Sequence, residues 1–439
     1  MQMSLEDWKR EFEGKNILIW GYGIEGKATY RFIRRLLPEQ IVTIADGGKG
    51  RELAEHETVH TICISDADIS FETYDLVMKA PGIVVKDPAR IPHLCGETQL
   101  FLKHYANRTI GITGTKGKST TTSLTAALLA KKYPTVLVGN IGRACFDAID
   151  DMEKGALAAF EISCHQLEFC PYSPHIGVYL NLFEEHLDHY SSFEKYGEAK
   201  FHNIMNQKEG DISILNESLT QYIDRCPNRP VLIGKDVYAK DKELFIPGAH
   251  LNVKQCALIG NHNYQNLAVA YYIAKQYHVA DKDILQAITE FQPLHHRLEN
   301  LGICDGICYV NDSISTIGQA TIQALRSIEN VDVVLVGGMD RGIEYDELEE
   351  YLAKDTVNVV FMYASGKRIY EEMKEKSLLR EGLFVVDTLE EAVQKARELA
   401  QAGHTVLLSP AASSYDHFKN FEQRGDIFKK LAFHELENC

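Results

Sequence analysis

Lys118 and Ser119 stand at the exit of a glycine-rich turn, where their types and spacing suit phosphate chemistry. The stretch TIGITGTKGKSTTT, residues 109–122, reads as a buried strand, a turn and the start of a helix. Backbone N–H groups of such a turn, together with the positive end of the helix dipole, bind anions. A lysine in this setting neutralises the β- and γ-phosphates, and a hydroxyl ligates Mg2+. The pattern therefore predicts a nucleoside triphosphate site, although Ile112 stands where the standard loop has its first glycine.

A purely structural turn with a surface lysine would need the same glycines. The run Ser119, Thr120, Thr121, Thr122 places hydroxyls at the helix start, where they suit caps and metal ligands. The hydroxyls therefore favour the triphosphate site over the structural turn.

A second glycine-rich turn, GYGIEG, follows the apolar run NILIW near the start of the chain. Its spacing, Gly21, Gly23 and Gly26, is the fingerprint of a dinucleotide-binding turn. Asp46 lies 20 residues after Gly26, where an acid would meet a ribose. The turn thus fits either NAD or the diphosphate of a nucleotide-linked substrate, and the local sequence leaves both open.

Carboxylates and histidines gather in the middle of the chain. Glu161 ends the strand before SCHQLE, and the segment 184–189 contains Glu184, Glu185, His186, Asp188 and His189. This segment could bind zinc, but clustered carboxylates also suit Mg2+, which prefers oxygen ligands, and Glu161 could supply one oxygen. A charged loop with satisfied histidines is the third interpretation.

Composition indicates an ordinary water-soluble protein. Of the 439 residues, 45% are hydrophobic and 25% charged, and the formal net charge of -16 argues against binding nucleic-acid phosphate or anionic lipid. The start of the chain has no apolar stretch of signal-peptide length, and no run approaches the roughly 20 apolar residues of a membrane helix. We expect a cytoplasmic protein.

The cysteines do not suggest a metal or disulfide framework. None of the ten forms a Cys-x-x-Cys pair, and most stand singly in apolar context. We expect reduced, mostly buried thiols.

Short apolar runs alternate with amphipathic helical patterns along almost the whole chain. TIGIT, TVLVG, VDVVLVGG and HTVLLS are typical of buried strands, and SLTAALLAKK is typical of a helix. The pattern predicts an α/β chain built mainly on parallel sheets. Breaks near HYANR and FQPLHHR divide it into three domains, residues 1–106, 107–294 and 295–439.

Ten motifs in order give the chain a family resemblance. They are GITGTKGKSTTT, GNIG, EISCHQLE, NLFEEHLDHY, YGEAKF, GNHNYQN, HHRLE, VNDS, GGMDRG and LLSPAASSYDHFKNFEQRG. The chain resembles the ATP-dependent Mur ligases of bacterial peptidoglycan synthesis, and its last motif resembles the D-glutamate-adding branch. The resemblance implies a Rossmann-like N-terminal UDP-substrate domain, a central P-loop ATPase-type domain and a Rossmann-like C-terminal amino-acid domain. It also implies a monomer that uses ATP and Mg2+ to join D-glutamate to UDP-N-acetylmuramoyl-L-alanine, so the first turn would hold UDP rather than NAD.

The resemblance assigns roles position by position. The catalytic positions would be Lys118, His186 and Lys200, the last matching a lysine that the family carbamylates. The metal ligands would be Ser119, Glu161, His186 and Lys200. ATP would meet Gly114, Thr115, Lys116, Gly117, Lys118, Ser119, Thr120, Asn263, Arg297 and Asp312. The UDP-substrate would meet Gly23, Glu25, Asp46, Gly82 and Asn140. The amino acid would meet Thr316, Arg341, Ser414 and Phe421.

Some positions depart from the family pattern. Members commonly have a lysine and an asparagine where this chain has Ile314 and Ile317, which leaves the identity of the amino acid open. Lys116 replaces the usual asparagine, and Ala80 the common serine, where backbone groups can do the binding. Two alternatives to the D-glutamate-adding ligase stay open. One is a related ligase that uses another amino acid or UDP-sugar, and the other is a non-catalytic nucleotide-binding scaffold.

Overall fold

The computed structural model describes residues 5–47, 59–183, 189–190, 192–254, 256, 260–291, 295–328 and 330–434. These residues form two compact units. The first unit covers the described residues up to Cys256 together with Tyr264–Phe291, and the second covers residues 260–263 and the described residues from 295 onward. Within the described ranges, no helix combines the length and apolar character needed to cross a bilayer.

The first sheet lies in the first unit and contains five parallel strands. They are β1 (Ile17–Trp20), β2 (Val42–Ala45), β3 (Thr61–Ile64), β4 (Leu76–Lys79) and β5 (Leu94–Cys95). The accompanying helices are α1 (Leu5–Phe12), α2 (Ile24–Leu36) and α3 (Glu97–Tyr105). The strand order β3-β2-β1-β4-β5 is that of a dinucleotide-binding fold. The carboxyl end of β1 therefore lies at the point where the strand order reverses.

The second sheet, also in the first unit, contains six parallel strands in the order β11-β10-β9-β6-β8-β7. They are β6 (Thr109–Thr113), β7 (Thr135–Gly139), β8 (Leu157–Glu161), β9 (Ile176–Tyr179), β10 (Ile212–Asn216) and β11 (Val231–Ile233). Its helices are α4 (Lys118–Leu129), α5 (Ile149–Glu153), α6 (Cys164–Leu167), α7 (Phe193–Met205) and α8 (Thr220–Ile223). Strand β6 is central and buried throughout, so the turn between β6 and α4 has a rigid base.

A small antiparallel sheet and two helices complete the first unit. The strands are β12 (Tyr238–Lys240), β13 (Glu243–Ile246) and β14 (Ala249–Asn252). The helices are α9 (Asn261–Gln276), whose first turn belongs to the second unit, and α10 (Asp281–Glu290).

An aromatic cluster joins the first two sheets. The ring centroid of Phe146 lies 5.2 Å from that of Trp8 and 5.1 Å from that of Phe32. Trp8 Nε1 donates a hydrogen bond of 2.9 Å to the Tyr105 hydroxyl. Because these rings form part of one buried core, the first two sheets are held as a single body.

The second unit is built on a six-stranded mixed sheet. Its strands are β15 (Glu299–Cys304), β16 (Ile307–Asn311), β17 (Val331–Val336), β18 (Asn358–Phe361), β19 (Leu383–Val385) and β20 (Thr405–Leu408). Its helices are α11 (Gly318–Ser327), α12 (Asp346–Lys354), α13 (Tyr363–Glu375), α14 (Leu389–Leu399) and α15 (Phe421–Ala432). The order is β15-β16-β20-β17-β18-β19, in which β15 alone runs antiparallel to its neighbour. Parallel sheets with helices therefore dominate both units, which confirms the predicted α/β class.

Candidate functional site

The turn between β6 and α4 requires glycine at two positions. Gly114 and Gly117 have φ angles of +150° and +83°, which L side chains rarely adopt. A Cβ atom at Gly117 would also lie 2.8 Å from Asn266 Oδ1. The chain can therefore make this turn only with its glycine pattern, and it leads directly into Lys118 at the first position of α4.

Asn181, a residue that the sequence analysis missed, holds this turn to the end of β9. Its carbonyl accepts a hydrogen bond of 3.0 Å from the Thr115 N–H, and its Oδ1 accepts one of 2.8 Å from the Lys116 N–H. The Asn181 amide also donates to the Lys116 carbonyl at 3.0 Å. The N–H groups of Thr115 and Lys116 are thus already used in hydrogen bonds to Asn181. The N–H groups in the first turn of α4, which have no intrahelical acceptor, are the better anion donors.

Lys118 and Lys200 converge on the Gly114 carbonyl oxygen. Lys118 Nζ donates to it at 2.9 Å and to the Thr115 carbonyl at 2.8 Å, and Lys200 Nζ donates to it at 3.0 Å. Lys200 is buried in α7, with its Nζ 4.5 Å from the centre of the Tyr196 ring. Burying an ammonium costs free energy unless it is hydrogen-bonded or paired. The Gly114 carbonyl supplies such a hydrogen bond to Lys200, and it accepts a second one from Lys118, so the two lysines predicted to be catalytic lie side by side.

Glu161 fits the metal role assigned to it. It ends β8 directly beside β6, paired in register with Ile112. The residue is buried, and its Oε2 has no hydrogen-bond partner among the residues that the structure describes. Ser119 lies in the first turn of α4 at the end of the neighbouring strand. A buried carboxylate oxygen with spare acceptor capacity and a hydroxyl form a hard donor set, which fits Mg2+.

His186, with Glu184, Glu185 and Asp188, lies outside the described residues. His189 is described, and its side chain contacts Glu168 and His165. Its Nε2 lies 3.2 Å from Glu168 Oε2, and its ring centroid lies 4.3 Å from that of His165. The zinc, magnesium and charged-loop interpretations of the segment 184–189 all stay open.

The first glycine turn packs as its spacing predicts. A Cβ at Gly26 would lie 2.1 Å from the Gly21 carbonyl oxygen, so α2 can approach β1 only with glycine here. Gly23 is exposed at the N-cap of α2. Glu25, in the first turn of α2, accepts a hydrogen bond of 2.6 Å from Gln166 Nε2. Burial raises the pKa of the Glu25 carboxyl, whereas this hydrogen bond lowers it.

Gln166 connects this turn to the second sheet. Its Oε1 accepts a hydrogen bond of 2.8 Å from the Ser163 N–H, in a capping box that starts α6. Ser163 lies two residues beyond Glu161. The Gln166 side chain therefore links the glycine turn of the first sheet to the strand end that carries the candidate metal ligand, a link that the sequence analysis did not predict.

The other UDP-substrate residues lie at strand carboxyl ends. Asp46 directly follows β2 and accepts a hydrogen bond of 2.9 Å from the Gly47 N–H. Gly82 is exposed after β4, and Asn140 is exposed after β7, where its N–H donates to the Glu161 carbonyl at 3.2 Å. Ligands of open α/β sheets bind at this edge, so the placement is compatible with the predicted role.

Three predicted ATP residues lie in the second unit. Asn263 is buried in the first turn of α9. Asp312 follows β16 and accepts a hydrogen bond of 3.2 Å from the Leu298 N–H. Burial raises the pKa of Asp312 to about 6, while hydrogen bonds and the nearby Arg297 charge act to lower it. Arg297 and Asp312 are therefore electrostatic neighbours.

Three of the four predicted amino-acid residues lie on loops at the carboxyl edge of the mixed sheet, and the fourth, Phe421, starts α15. Arg341 donates to the Thr316 carbonyl at 3.3 Å, which brings the loops after β17 and β16 together. The loop after β17 also joins the loop after β20, which carries the buried Ser414, through the Met339 N–H to the Ser413 carbonyl at 2.8 Å. The Phe421 carbonyl, at the start of α15, accepts a hydrogen bond of 2.8 Å from the Ser313 hydroxyl. Chain regions distant in sequence thus meet in one place.

Arg424 lies beneath these loops and was not assigned a role from the sequence. Its side chain is fully buried and donates to the Ser313 hydroxyl at 3.0 Å and the Ser313 carbonyl at 2.8 Å. It also donates to the carbonyls of Ala412 and Ser413, at 3.0 Å and 3.3 Å. Burial lowers the pKa of this guanidinium to about 10, so it stays charged at neutral pH. The only available signal was its place in the FEQRG string.

Comparisons with known proteins agree with the resemblance. The models of the Mur ligase middle domain and of the Mur ligase glutamate ligase domain match residues 112–274 and 296–412. UDP-N-acetylmuramoylalanine--D-glutamate ligase of Bacillus cereus (strain AH187) is 33% identical, covering 97% of this chain and 99% of that protein.

Solved structures share the fold. UDP-N-acetylmuramate-alanine ligase MurC from Thermotoga maritima is 19% identical, with a TM-score of 0.57 over 97% of this chain and 99% of that chain. The MurF ligase of the same organism, in complex with ADP, is 15% identical, with a TM-score of 0.61 over 91% of this chain and 96% of that chain. Since a relative at 33% identity aligns along nearly the whole length of both proteins, this chain belongs to the Mur ligase family.

Proposed function

We propose that this chain is an ATP-dependent ligase that joins D-glutamate to UDP-N-acetylmuramoyl-L-alanine in peptidoglycan precursor synthesis. The observation that carries the proposal is the meeting of Lys118 and Lys200 at the Gly114 carbonyl, on a glycine turn that suits phosphate. The name and near-complete alignment of the Bacillus cereus relative support the choice of substrates.

The chemistry follows from the poor reactivity of a carboxylate toward amines. The alanyl carboxylate oxygen first attacks the γ-phosphorus of ATP, giving an acyl phosphate and ADP. The amine of D-glutamate then attacks the acyl carbon, and the tetrahedral oxyanion collapses to an amide as inorganic phosphate and a proton leave. Fixed positive charge beside the transferred phosphoryl group stabilises both steps, and we propose that Lys118 supplies it.

Mg2+ would be held by Glu161 and Ser119, with Lys200 and His186 as further predicted ligands. When bound, it supplies positive charge that offsets the charge of the phosphates. Glu161 can contribute a buried, unpartnered oxygen within the described part of the chain, and this spare acceptor supports the assignment.

We propose that the remaining assigned residues bind the three substrates. We assign the UDP-linked acid to Gly23, Glu25, Asp46, Gly82 and Asn140. Adenosine and its phosphates would contact Asn263, Arg297, Asp312 and the turn from Gly114 to Thr120. Arg341 offers a planar fork to a carboxylate of the amino acid, with Thr316, Ser414 and Phe421 around it. We expect the protein to act as a cytoplasmic monomer without nucleic-acid or membrane partners.

A second candidate is a Mur-type ligase that uses another amino acid. Ile314 and Ile317 are half-buried at the loop that carries Thr316, where other members commonly offer a cation and an amide. If the amine of the amino acid binds near this loop, it would meet fewer polar groups than in those members, which favours testing other amino acids beside D-glutamate.

Phosphate release tests the proposal directly. The purified chain is given ATP, Mg2+ and UDP-N-acetylmuramoyl-L-alanine, with D-glutamate or one of a panel of other amino acids. We expect phosphate release that depends on D-glutamate. Dependence on a different amino acid would favour the second candidate, and silence with every amino acid would favour a non-catalytic scaffold.

A further inference from the structure

We propose that Arg368 is a positioning residue of the amino-acid site, which fixes the loop 340–343 and thereby aims Arg341. The inference rests on the proposed function, because it assigns a role within the same site. Arg368 lies on α13, one helix away from the loop, and neither its sequence context nor the family motifs single it out.

Two hydrogen bonds from Arg368 flank Arg341. Arg368 Nε donates to Asp340 Oδ2 at 2.8 Å, and one terminal nitrogen of Arg368 donates to the Ile343 carbonyl at 2.7 Å. The other terminal nitrogen donates to Glu372 Oε1 at 2.6 Å, one helical turn further along α13. The guanidinium therefore ties both sides of the loop to a rigid helix.

Among the residues that the structure describes, few other hydrogen bonds hold the loop 340–343 around Arg341. Asp340 Oδ1 accepts a hydrogen bond of 2.9 Å from the Gly342 N–H, so the carboxylate that Arg368 holds also shapes the turn. Gly342 is exposed at φ +68°. Arg341 is also exposed, and its hydrogen bond within the described part of the chain goes to the Thr316 carbonyl at 3.3 Å. Because that contact is long, the direction of Arg341 depends mainly on the backbone that carries it.

The three acceptors around Arg368 suit a planar guanidinium, which can donate to all of them at once. Its guanidinium carbon lies 5.1 Å from the centre of the Tyr345 ring, and the Tyr345 hydroxyl donates to the Ala411 carbonyl at 3.1 Å. A lysine ammonium could not reach Asp340, Ile343 and Glu372 in one plane while stacking on this ring. Arg368 thus stacks on a tyrosine whose hydroxyl is held by the loop after β20.

A loop that is loosened would bind a carboxylate less well, because ordering it again costs free energy on binding. In Arg368→Gln, we expect the KM for D-glutamate to rise about tenfold, the scale of a small misplacement of a substrate-binding group. The KM for ATP and the melting temperature should stay near the wild-type values, since the Arg368 side chain bonds to the loop 340–343 and to its own helix, and not to the glycine turn assigned to ATP.

Two controls test whether Arg368 acts by positioning Arg341 or only by stabilising the fold. Arg380→Gln removes a half-buried arginine of the same unit that donates to the Leu352 carbonyl at 2.7 Å, away from the loop, and it should leave the KM for D-glutamate unchanged. In an Arg341→Gln background, Arg368→Gln should add little further increase in this KM, because the residue it positions is already gone.

An unchanged KM for D-glutamate in Arg368→Gln would overturn the inference. So would a uniform loss with every substrate together with a lowered melting temperature, which would indicate a purely structural role. If the wild-type protein releases no phosphate with D-glutamate, the proposed function fails instead, and the same comparison is made with the amino acid that the enzyme uses.

Discussion

Replacing Lys118 by alanine is expected to lower kcat/KM for ATP by at least about 100-fold, or ~3 kcal/mol of transition-state stabilisation. Lys118 opens α4 directly after the glycine turn, and its Nζ already lies within hydrogen-bond distance of the turn carbonyls. The charge is therefore preorganised beside the place where phosphates would bind. Steady-state phosphate release at varied ATP concentration measures the effect.

Lys116→Ala provides the matched control in the same turn. The Lys116 backbone is held by Asn181 through both its N–H and its carbonyl, and these contacts survive the substitution. Because the role assigned to Lys116 lies in its backbone and not in its side chain, we expect a change in kcat/KM of less than about threefold. Near-normal turnover in Lys118→Ala, or an equal loss in both variants, would contradict the role of Lys118.

Replacing Lys200 by alanine is expected to abolish most turnover, and removal of bicarbonate from wild-type protein should have the same direction of effect. The buried ammonium of Lys200 would be repelled by Lys118 and by a bound Mg2+. If Lys200 loses its ammonium proton, the neutral amine can form an N–C bond with CO2 and release a second proton. The resulting carbamate anion would be able to hold Mg2+. Assays in bicarbonate-depleted and bicarbonate-replete buffer, with the same protein, measure this dependence.

Lys195 offers the control, because it is an exposed lysine of the same helix. Lys195→Ala should keep wild-type turnover and the same response to bicarbonate. If Lys200→Ala and bicarbonate removal both leave turnover unchanged, the carbamate role is wrong.

Local features of the site could be predicted from the sequence. The glycines, Lys118 and the following hydroxyls are neighbours in the chain, and they form the strand, turn and helix that their order indicates. Alternating apolar runs likewise predicted an α/β fold with parallel sheets, which the strand pairing confirms. In both cases the signal lies within a short window, where periodicity and turn chemistry determine the structure.

Contacts between distant segments could not be predicted in this way. Asn181 holds the glycine turn between β6 and α4, Gln166 donates to Glu25, and Arg424 on α15 joins two loops of the second unit. Each contact depends on a tertiary arrangement, and a single asparagine, glutamine or arginine has no periodic signal. The contacts of Arg368 with the loop 340–343 could not be predicted from the sequence for the same reason.

The domain boundaries at residues 106 and 294 and the role of His186 stay predictions. The first two sheets form one unit because aromatic rings such as Trp8 and Phe146 pack between them, an interaction that a break in sequence pattern does not reveal.

The measurement that tests the central claim most directly follows oxygen atoms. UDP-N-acetylmuramoyl-L-alanine is prepared with a heavy isotope in both oxygens of its alanyl carboxylate and incubated with the protein, ATP, Mg2+ and D-glutamate. Activation through an acyl phosphate transfers one carboxylate oxygen to phosphate, so mass spectrometry should find a heavy oxygen in each phosphate released. Unlabelled phosphate, released while amide product forms, would contradict the account.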